Sequence, residues 1–473
     1  MIFTSFEFVL FFCIVVGVRS LLRNESLEKW FLLSASYLFY MSWNPAYILL
    51  ILLISTTDFL VGHCLAKTES QTSKRRLVAT SLIINLGVLA FFKYATFAYE
   101  NLRACLSLGG ISIPPANIHV TLPVGISFFT FQSLSYVLDI YRGKLSPCRH
   151  WRDYLLYVAF FPQLVAGPIV RASEFLPQLL TRVRGSLRDI ETGLAYIALG
   201  AVKKLVISDQ ISQHVDVVFA TPSSYDAFSL LQGLLGYAIQ IYCDFSGYTD
   251  IAIGCARTMG YRFNENFRMP YSSVNITEFW RRWHISLSSW LRDYLYISLG
   301  GNRRGRNRTY FNLMITMLLG GLWHGASWNF VIWGGIHGSA LAIHKLFMEY
   351  RNKPDRPQEA NAWYRTIPSR ILTLIVVLMG WVFFRAQTLP DAVAYLQKIA
   401  LWNQDGTRFF SPYIWPALLA VVLVHLIARK DVNWAESLVD RPAWIRCTAY
   451  AGLLTLIVCL GATDAAPFIY FQF

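Results

Sequence analysis

Charge is scarce in this chain. Only 15% of its 473 residues are Asp, Glu, Lys or Arg, while 55% are hydrophobic. A soluble globular chain carries about 25% charged and about 45–50% apolar residues. The apolar excess is gathered into runs, and a bilayer core of about 30 Å takes roughly 20 helical residues. Runs such as 371–384 and 418–428 do not alternate, which excludes the strands of a membrane barrel. The eight cysteines form no CxxC and mostly sit in apolar runs, so they read as small buried hydrophobes rather than a disulfide frame or a metal site. GxxxxGK[ST], GxSxG, HExxH and DxD are all missing, which argues against a self-contained nucleotidase, serine hydrolase or metalloenzyme. The first apolar run, 6–18, has no basic segment before it and no A-x-A pattern after it. It reads as a retained helix rather than a cleaved signal peptide.

The charge that is present is mostly positive. The net value of +14 comes from 42 basic and 28 acidic residues. In a membrane chain this reflects basic cytoplasmic loops rather than nucleic-acid binding. Arg19, Arg23 and Lys29 follow the first run, and Lys67, Lys74, Arg75 and Arg76 follow the third. This places the N-terminus outside and both basic links in the cytoplasm. The run 30–43 is too short to cross, so it must extend, pair with 46–65 or dip partway. The link 100–119 holds only Arg103 and reads as external.

The middle of the chain is less regular. Residues 154–170 are apolar but broken by Pro162 and Gly167-Pro168, with basic residues on both sides. A re-entrant hairpin fits this pattern, because non-helical backbone at membrane depth has to be buried in protein or line a cavity. Lys203, Lys204, Asp244 and Asp250 fall inside apolar segments. Residues 262–308 read as amphipathic helices in the interface or packed under the bundle. Residues 310–346 are longer than one span and punctuated by glycine, 358–368 is a polar link, and three more apolar segments follow. The expected architecture is an all-α polytopic membrane protein of roughly ten to twelve membrane helices with re-entrant segments. No internal repeat is seen, and a single membrane domain over residues 1–473 is the simplest organisation.

Chemistry concentrates in residues 279–338, which hold six of the fifteen tryptophans, seven arginines, one acid (Asp293) and three histidines. Ionisable groups in such surroundings mark function. His324 sits in GGLWHGA, where small residues allow a helix or an extended substrate to come close. A neutral imidazole there can take a proton from an attacking hydroxyl, and a histidine holding two helices together is the alternative. His284 follows WRRW. Cationic neighbours would keep it neutral as a second polar wall, and the residues alone favour an interfacial histidine among snorkelling arginines. His337 is about 220° around a helix from His324, so the two share a face only if Gly334-Gly335 breaks the helix. His337 and His344 share a face and read as packing. Arg303, Arg304 and Arg306 in GGNRRGRNR suit donor phosphates, such as the diphosphate of coenzyme A or a phosphopantetheine. A purely topological basic loop is the stronger alternative.

At residues 122–142 (LPVGISFFTFQSLSYVLDIYR), 160–169 (FFPQLVAGPI), 279–293 (FWRRWHISLSSWLRD), 320–325 (GGLWHG) and 468–473 (FIYFQF), the chain resembles the membrane-bound O-acyltransferase superfamily, in its bacterial alginate O-acetyltransferase branch. The resemblance covers nearly the whole chain. It implies a ring of helices around a central tunnel, a family-essential histidine at His324 and a second functional histidine at His284. It also implies acetyl transfer from a cytoplasmic thioester donor, acetyl-CoA or another acetyl thioester, with no permanently bound cofactor and no metal. The acetyl group crosses the bacterial inner membrane to a periplasmic, SGNH-like partner that acetylates an exopolysaccharide, with alginate implied first. Acetylated cellulose or another polymer would need the same step. A non-catalytic acyl or polysaccharide transporter is the reading from another class.

Overall fold

The computed structural model describes residues 1–116, 121–165, 167–351, 366–427, 432–462 and 466–471. Residues 358–365 of the polar link, 117–119 of the external link, Ala166 of the hairpin and 472–473 of the terminal motif lie outside the described residues. Every named element among the described residues is helical, and the β structure there is one isolated bridge, Tyr225 to Thr407. The helices are α1 (Phe6–Leu21), α2 (Glu25–Met41), α3 (Ile48–Lys67), α4 (Gln71–Leu108), α5 (Ile126–Tyr141), α6 (Trp151–Ala159), α7 (Phe161–Leu164), α8 (Ala172–Leu180), α9 (Leu187–Ala201) and α10 (Asp209–Ala220). They continue with α11 (Ala227–Thr258), α12 (Ile276–Arg282), α13 (Ile285–Trp290), α14 (Arg306–His324), α15 (Trp328–Tyr350), α16 (Ile367–Arg385), α17 (Leu389–Ala400), α18 (Ile414–Ile427), α19 (Trp434–Val439) and α20 (Ala443–Leu460). Residues Val202–Ser208 and Leu291–Tyr296 are π-helical.

By length and composition, α4, α16, α20 and the stretch Pro45–Lys67 are apolar enough to cross a membrane. α20 makes the case for a bilayer most directly. It is apolar all round, none of its residues is buried, and Val458 is 82% exposed. A helix this apolar that leaves most of its surface uncovered by protein needs lipid as its solvent. The same surroundings explain the cysteines. Cys148, Cys243 and Cys255 are buried as expected, but Cys13, Cys64, Cys105, Cys447 and Cys459 are exposed. An apolar run in a membrane protein does not have to face the protein interior.

The chain forms two compact units, residues 1–194 with 252–264, and residues 195–251 with 265–473. In the first, α2 begins at Glu25 because Asn24 caps it, accepting from the N–H groups of Ser26 and Leu27. The short second run therefore extends at its N-terminus into a 17-residue helix, about 25 Å long and still short of a full span. Arg19 and Lys29, read from the sequence as topological charges, are also staples. Arg19 pairs with Glu28 at 2.8 Å and donates to the carbonyls of Met259 and Val183. Lys29 pairs with Glu25 and approaches Asp153. The expected hairpin is α6, a one-residue break and α7, and its described residues after α7 are non-helical up to α8. Its longest helix, nine residues, rises only about 13 Å, too little to cross. Its described residues from 153 to 170 are all buried in protein.

Asp58 ties four helices of this unit together. Fully buried on α3, it accepts from Ser81 Oγ (2.6 Å) and Asn85 Nδ2 (2.9 Å) on α4 and from Ser133 Oγ (2.6 Å) on α5. Tyr154 of α6 completes the network at 2.8 Å from Ser133 Oγ. Asp58→Ala leaves these donors buried without their acceptor, and we expect a loss of about 3 kcal/mol. The check is the thermal aggregation midpoint in detergent. Asp58→Asn, which keeps an acceptor, should fall by less than half as much.

Candidate active site

The second unit contains His284, His324 and His337. His324 is the last residue of α14, and at Gly325 the backbone turns extended (φ −162°, ψ 156°). The helix break therefore comes directly after His324 and not at Gly334-Gly335, which lie inside a continuous α15. The chain returns antiparallel. A Cβ on Gly321 would collide with the Phe330 carbonyl oxygen, one on Gly334 with the Met317 carbonyl oxygen, and one on Gly325 with the Phe330 ring. The glycines around His324 thus admit α15 rather than an extended substrate. His324 is 4% exposed, with the rings of Trp323 and Trp333 at 5.0 Å, Phe384 at 5.1 Å and Tyr470 at 5.5 Å.

His284 links α12 to α13, two helices far too short to cross a membrane. It adopts the left-handed conformation (φ 44°, ψ 56°). For a non-glycine residue this costs of order 1–3 kcal/mol and persists where the surroundings over-determine it. Those surroundings are specific. Asn266 Oδ1 accepts from the Ser286 N–H (3.0 Å) and hydroxyl (2.9 Å) and lies 3.3 Å from His284 Nδ1, while the Asn266 carbonyl accepts from the Ile285 N–H. An acceptor facing Nδ1 assigns the proton to that nitrogen and the lone pair to Nε2. Burial pushes the imidazole down to about 3, so it is neutral at physiological pH. The sequence reading gave the right state for the wrong reason. The cause is desolvation, not neighbouring arginine charge. The interfacial placement favoured by the residues alone is also corrected, since His284 is fully buried against Phe245 at 4.6 Å.

Trp323 and Tyr470 lie between the two histidines, with ring centroids 6.1 and 6.4 Å from His284. His337 is one ring further away, 4.7 Å from Trp333 and 5.1 Å from Trp280. Gly380 makes room for it, since a Cβ there would stand 2.8 Å from its Nε2. His344 meets Thr277 Oγ1 at 2.9 Å, so it faces α12, the helix that packs its Phe279 and Trp280 rings on His337. The arginine loop is elsewhere. Arg303, Arg304 and Arg306 are exposed, and Arg306, which pairs with Glu349 at 3.0 Å, starts the helix that His324 ends. Eighteen helical steps put about 27 Å between them along the axis. The structure therefore joins His324 and His284 but not the arginines. Sequence reasoning missed Asn266, Phe245 and Tyr470. The aromatic run 468–473 was the one available signal for Tyr470.

Residues 150–386 match the sequence model of the membrane-bound O-acyltransferase family. That span covers both histidines and the arginine loop. The chain belongs to this family. It is 36% identical to a probable alginate O-acetylase of Pseudomonas putida over the whole of both chains. It is 41% identical to one of Azotobacter vinelandii over 93% of this chain and 87% of the relative. A peptidoglycan O-acetyltransferase of Helicobacter pylori is 32% identical over 95% of this chain and 92% of the relative. The protein is thus a polytopic membrane O-acyltransferase, and the aromatic cluster around His324 and His284 is its candidate active site.

Gly321→Ala tests the close approach that sets His324. Backbone cannot yield as a flexible side chain can, so overpacking should cost about 1–3 kcal/mol and reduce transfer. Thermal stability and acyl transfer measured on the same preparation check this, and wild-type values for both would overturn it.

Proposed function

We propose that this O-acyltransferase carries acetyl groups from a cytoplasmic thioester donor, acetyl-CoA or another acetyl thioester, across the bacterial inner membrane for O-acetylation of an exopolysaccharide, with alginate as the first candidate. The observation that carries the reading is the buried aromatic cluster in which His324 and His284 share the Trp323 and Tyr470 rings. The names of the alginate O-acetylases support acetyl as the group and alginate as the polymer.

In this reading His324 is the general base. It takes the proton of an acceptor hydroxyl, supplied by a periplasmic SGNH-like partner, as the oxygen attacks the acetyl carbonyl. The tetrahedral intermediate collapses with cleavage of the C–S bond, the ester forms, and the thiolate leaves with the proton held by His324. His284, neutral and fixed by Asn266, orients the acyl group. The water-poor aromatic walls protect the thioester from hydrolysis. Arg303, Arg304 and Arg306 hold the donor phosphates at the far end of α14. A second reading has an observation of its own. The Helicobacter pylori relative, matched over almost the full length, is named for peptidoglycan, which makes peptidoglycan the alternative final acceptor.

His324→Ala should lower acetylation at least about 100-fold at normal protein abundance, and fully acetylated polymer in that strain would overturn the role. Acetyl content of alginate, cellulose and peptidoglycan in a deletion strain identifies the acceptor. Replacing Arg303, Arg304 and Arg306 together with Ala should raise donor KM and flatten its salt dependence while sparing kcat. Unchanged donor use would remove the docking role.

A further inference from the structure

Adjacent lysines on the π-helical segment 202–208 have different surroundings. Lys203 makes a one-to-one pair with Asp250 at 2.6 Å, and that is a sufficient arrangement for a half-buried lysine. Lys204 has two acids, Asp209 and Asp244, each at 2.7 Å, and all three side chains are 1–3% exposed. Two carboxylates against one ammonium leave a surplus negative charge, and the ammonium has a third proton to place. Both needs are met by the same piece of chain. Lys204 Nζ donates its third bond to the Ala466 carbonyl at 2.8 Å, and Asp244 Oδ2 accepts from the Ile469 N–H at 2.8 Å. The end of α20 is tied to the same region. The Ala462 N–H donates to the Leu205 carbonyl, and Gln210 Nε2 donates to the Leu460 carbonyl.

The segment held in this way packs into the aromatic cluster around the two histidines. Phe468 is fully buried against Tyr248 (4.6 Å) and Phe245 (5.5 Å). Tyr470 lies 4.5 Å from Phe245 and 5.5 Å from His324. π-Helical turns recur at functional sites because the extra residue re-aims side chains. Here the turn puts Lys203 and Lys204 against different acids.

We propose that Lys204, Asp209 and Asp244 are positioning residues that dock the 466–470 segment so that the Tyr470 ring is held against His324. The role rests on the reading of His324 as the base. The test uses the full chain in nanodiscs and measures acetyl-transfer kinetics together with hydrogen exchange of the 466–471 peptide. Lys204→Met removes the hub, and Lys204→Arg restores a cation. Ile469→Pro leaves all three charges in place and removes the N–H given to Asp244, at the first position of a short 3-10 turn where proline is tolerated. Ile469→Val, which trims the same buried side chain but keeps the N–H, is the control and should stay near wild type. Lys204→Met and Ile469→Pro should each lower kcat at least about 10-fold with donor KM little changed, and each should speed exchange in the peptide. The double variant should be no worse than the worse single one, and Lys204→Arg should keep most activity. If Lys204→Met does not fold, Ile469→Pro decides alone. Wild-type kcat or wild-type exchange in Ile469→Pro, or losses that multiply in the double variant, would overturn the proposal. Should His324→Ala stay active, the base assignment fails, and the exchange results still report whether the trio docks the segment.

Discussion

A polar group inside this chain needs its partner within reach, because the surrounding lipid and aromatic side chains offer none. That requirement organises much of the described structure. Asp58 gathers donors from α4 and α5, and Arg19 gathers Glu28 and two backbone carbonyls. Lys204 gathers two carboxylates and one backbone carbonyl. Water would satisfy each group in many ways. A low-dielectric interior satisfies it in few, so each group dictates which segments meet. Apolar packing between helices cannot do this alone, since lipid tails are as apolar as leucine.

The same economy shapes the candidate active site. His324 ends its helix, and the collision that any Cβ at Gly321, Gly325 or Gly334 would meet shows how closely α15 returns past it. His284 sits in a strained backbone conformation because Asn266 holds the ring from one side and the following turn from the other. Both imidazoles stand among aromatic rings. A neutral histidine in such surroundings keeps its lone pair and remains a hydrogen-bond partner without the cost of a buried charge.

Much of this was visible in the sequence, and what was hidden follows a rule. Runs of apolar residues report a membrane chain because the bilayer acts on composition and length alone. The broken hairpin at 154–170 was legible because Pro162 and Gly167-Pro168 act locally. His324 stood out because glycines flank it. Pairings across long separations left no such mark. Nothing in the spacing of Lys204 and Asp244, forty positions apart, says they meet. Nothing near Asn266 says that it fixes His284. The exposed cysteines went unread because hydropathy does not separate a lipid-facing residue from a protein-facing one. The environment of His284 was misread because WRRW is cationic along the chain, while the fold surrounds the ring with Phe245, Phe267 and Trp323.

The separation of about 27 Å between Arg306 and His324 constrains how the proposed reaction would run. That length is close to the thickness of a hydrocarbon core. Under the proposed reading, phosphates anchored at the arginine loop must present the thioester nearly a bilayer away, so the donor must be long, thin and extended. Pantetheine-type arms have that shape, and a compact acyl phosphate does not. A second consequence concerns the acceptor. If the thioester reaches His324 from one end of α14, the hydroxyl must approach from another direction, and the wall formed by Phe468 and Tyr470 limits which directions remain. Under that reading, fixing Phe468 and Tyr470 through buried charges rather than through flexible apolar contacts holds this side of the histidine cluster in one arrangement.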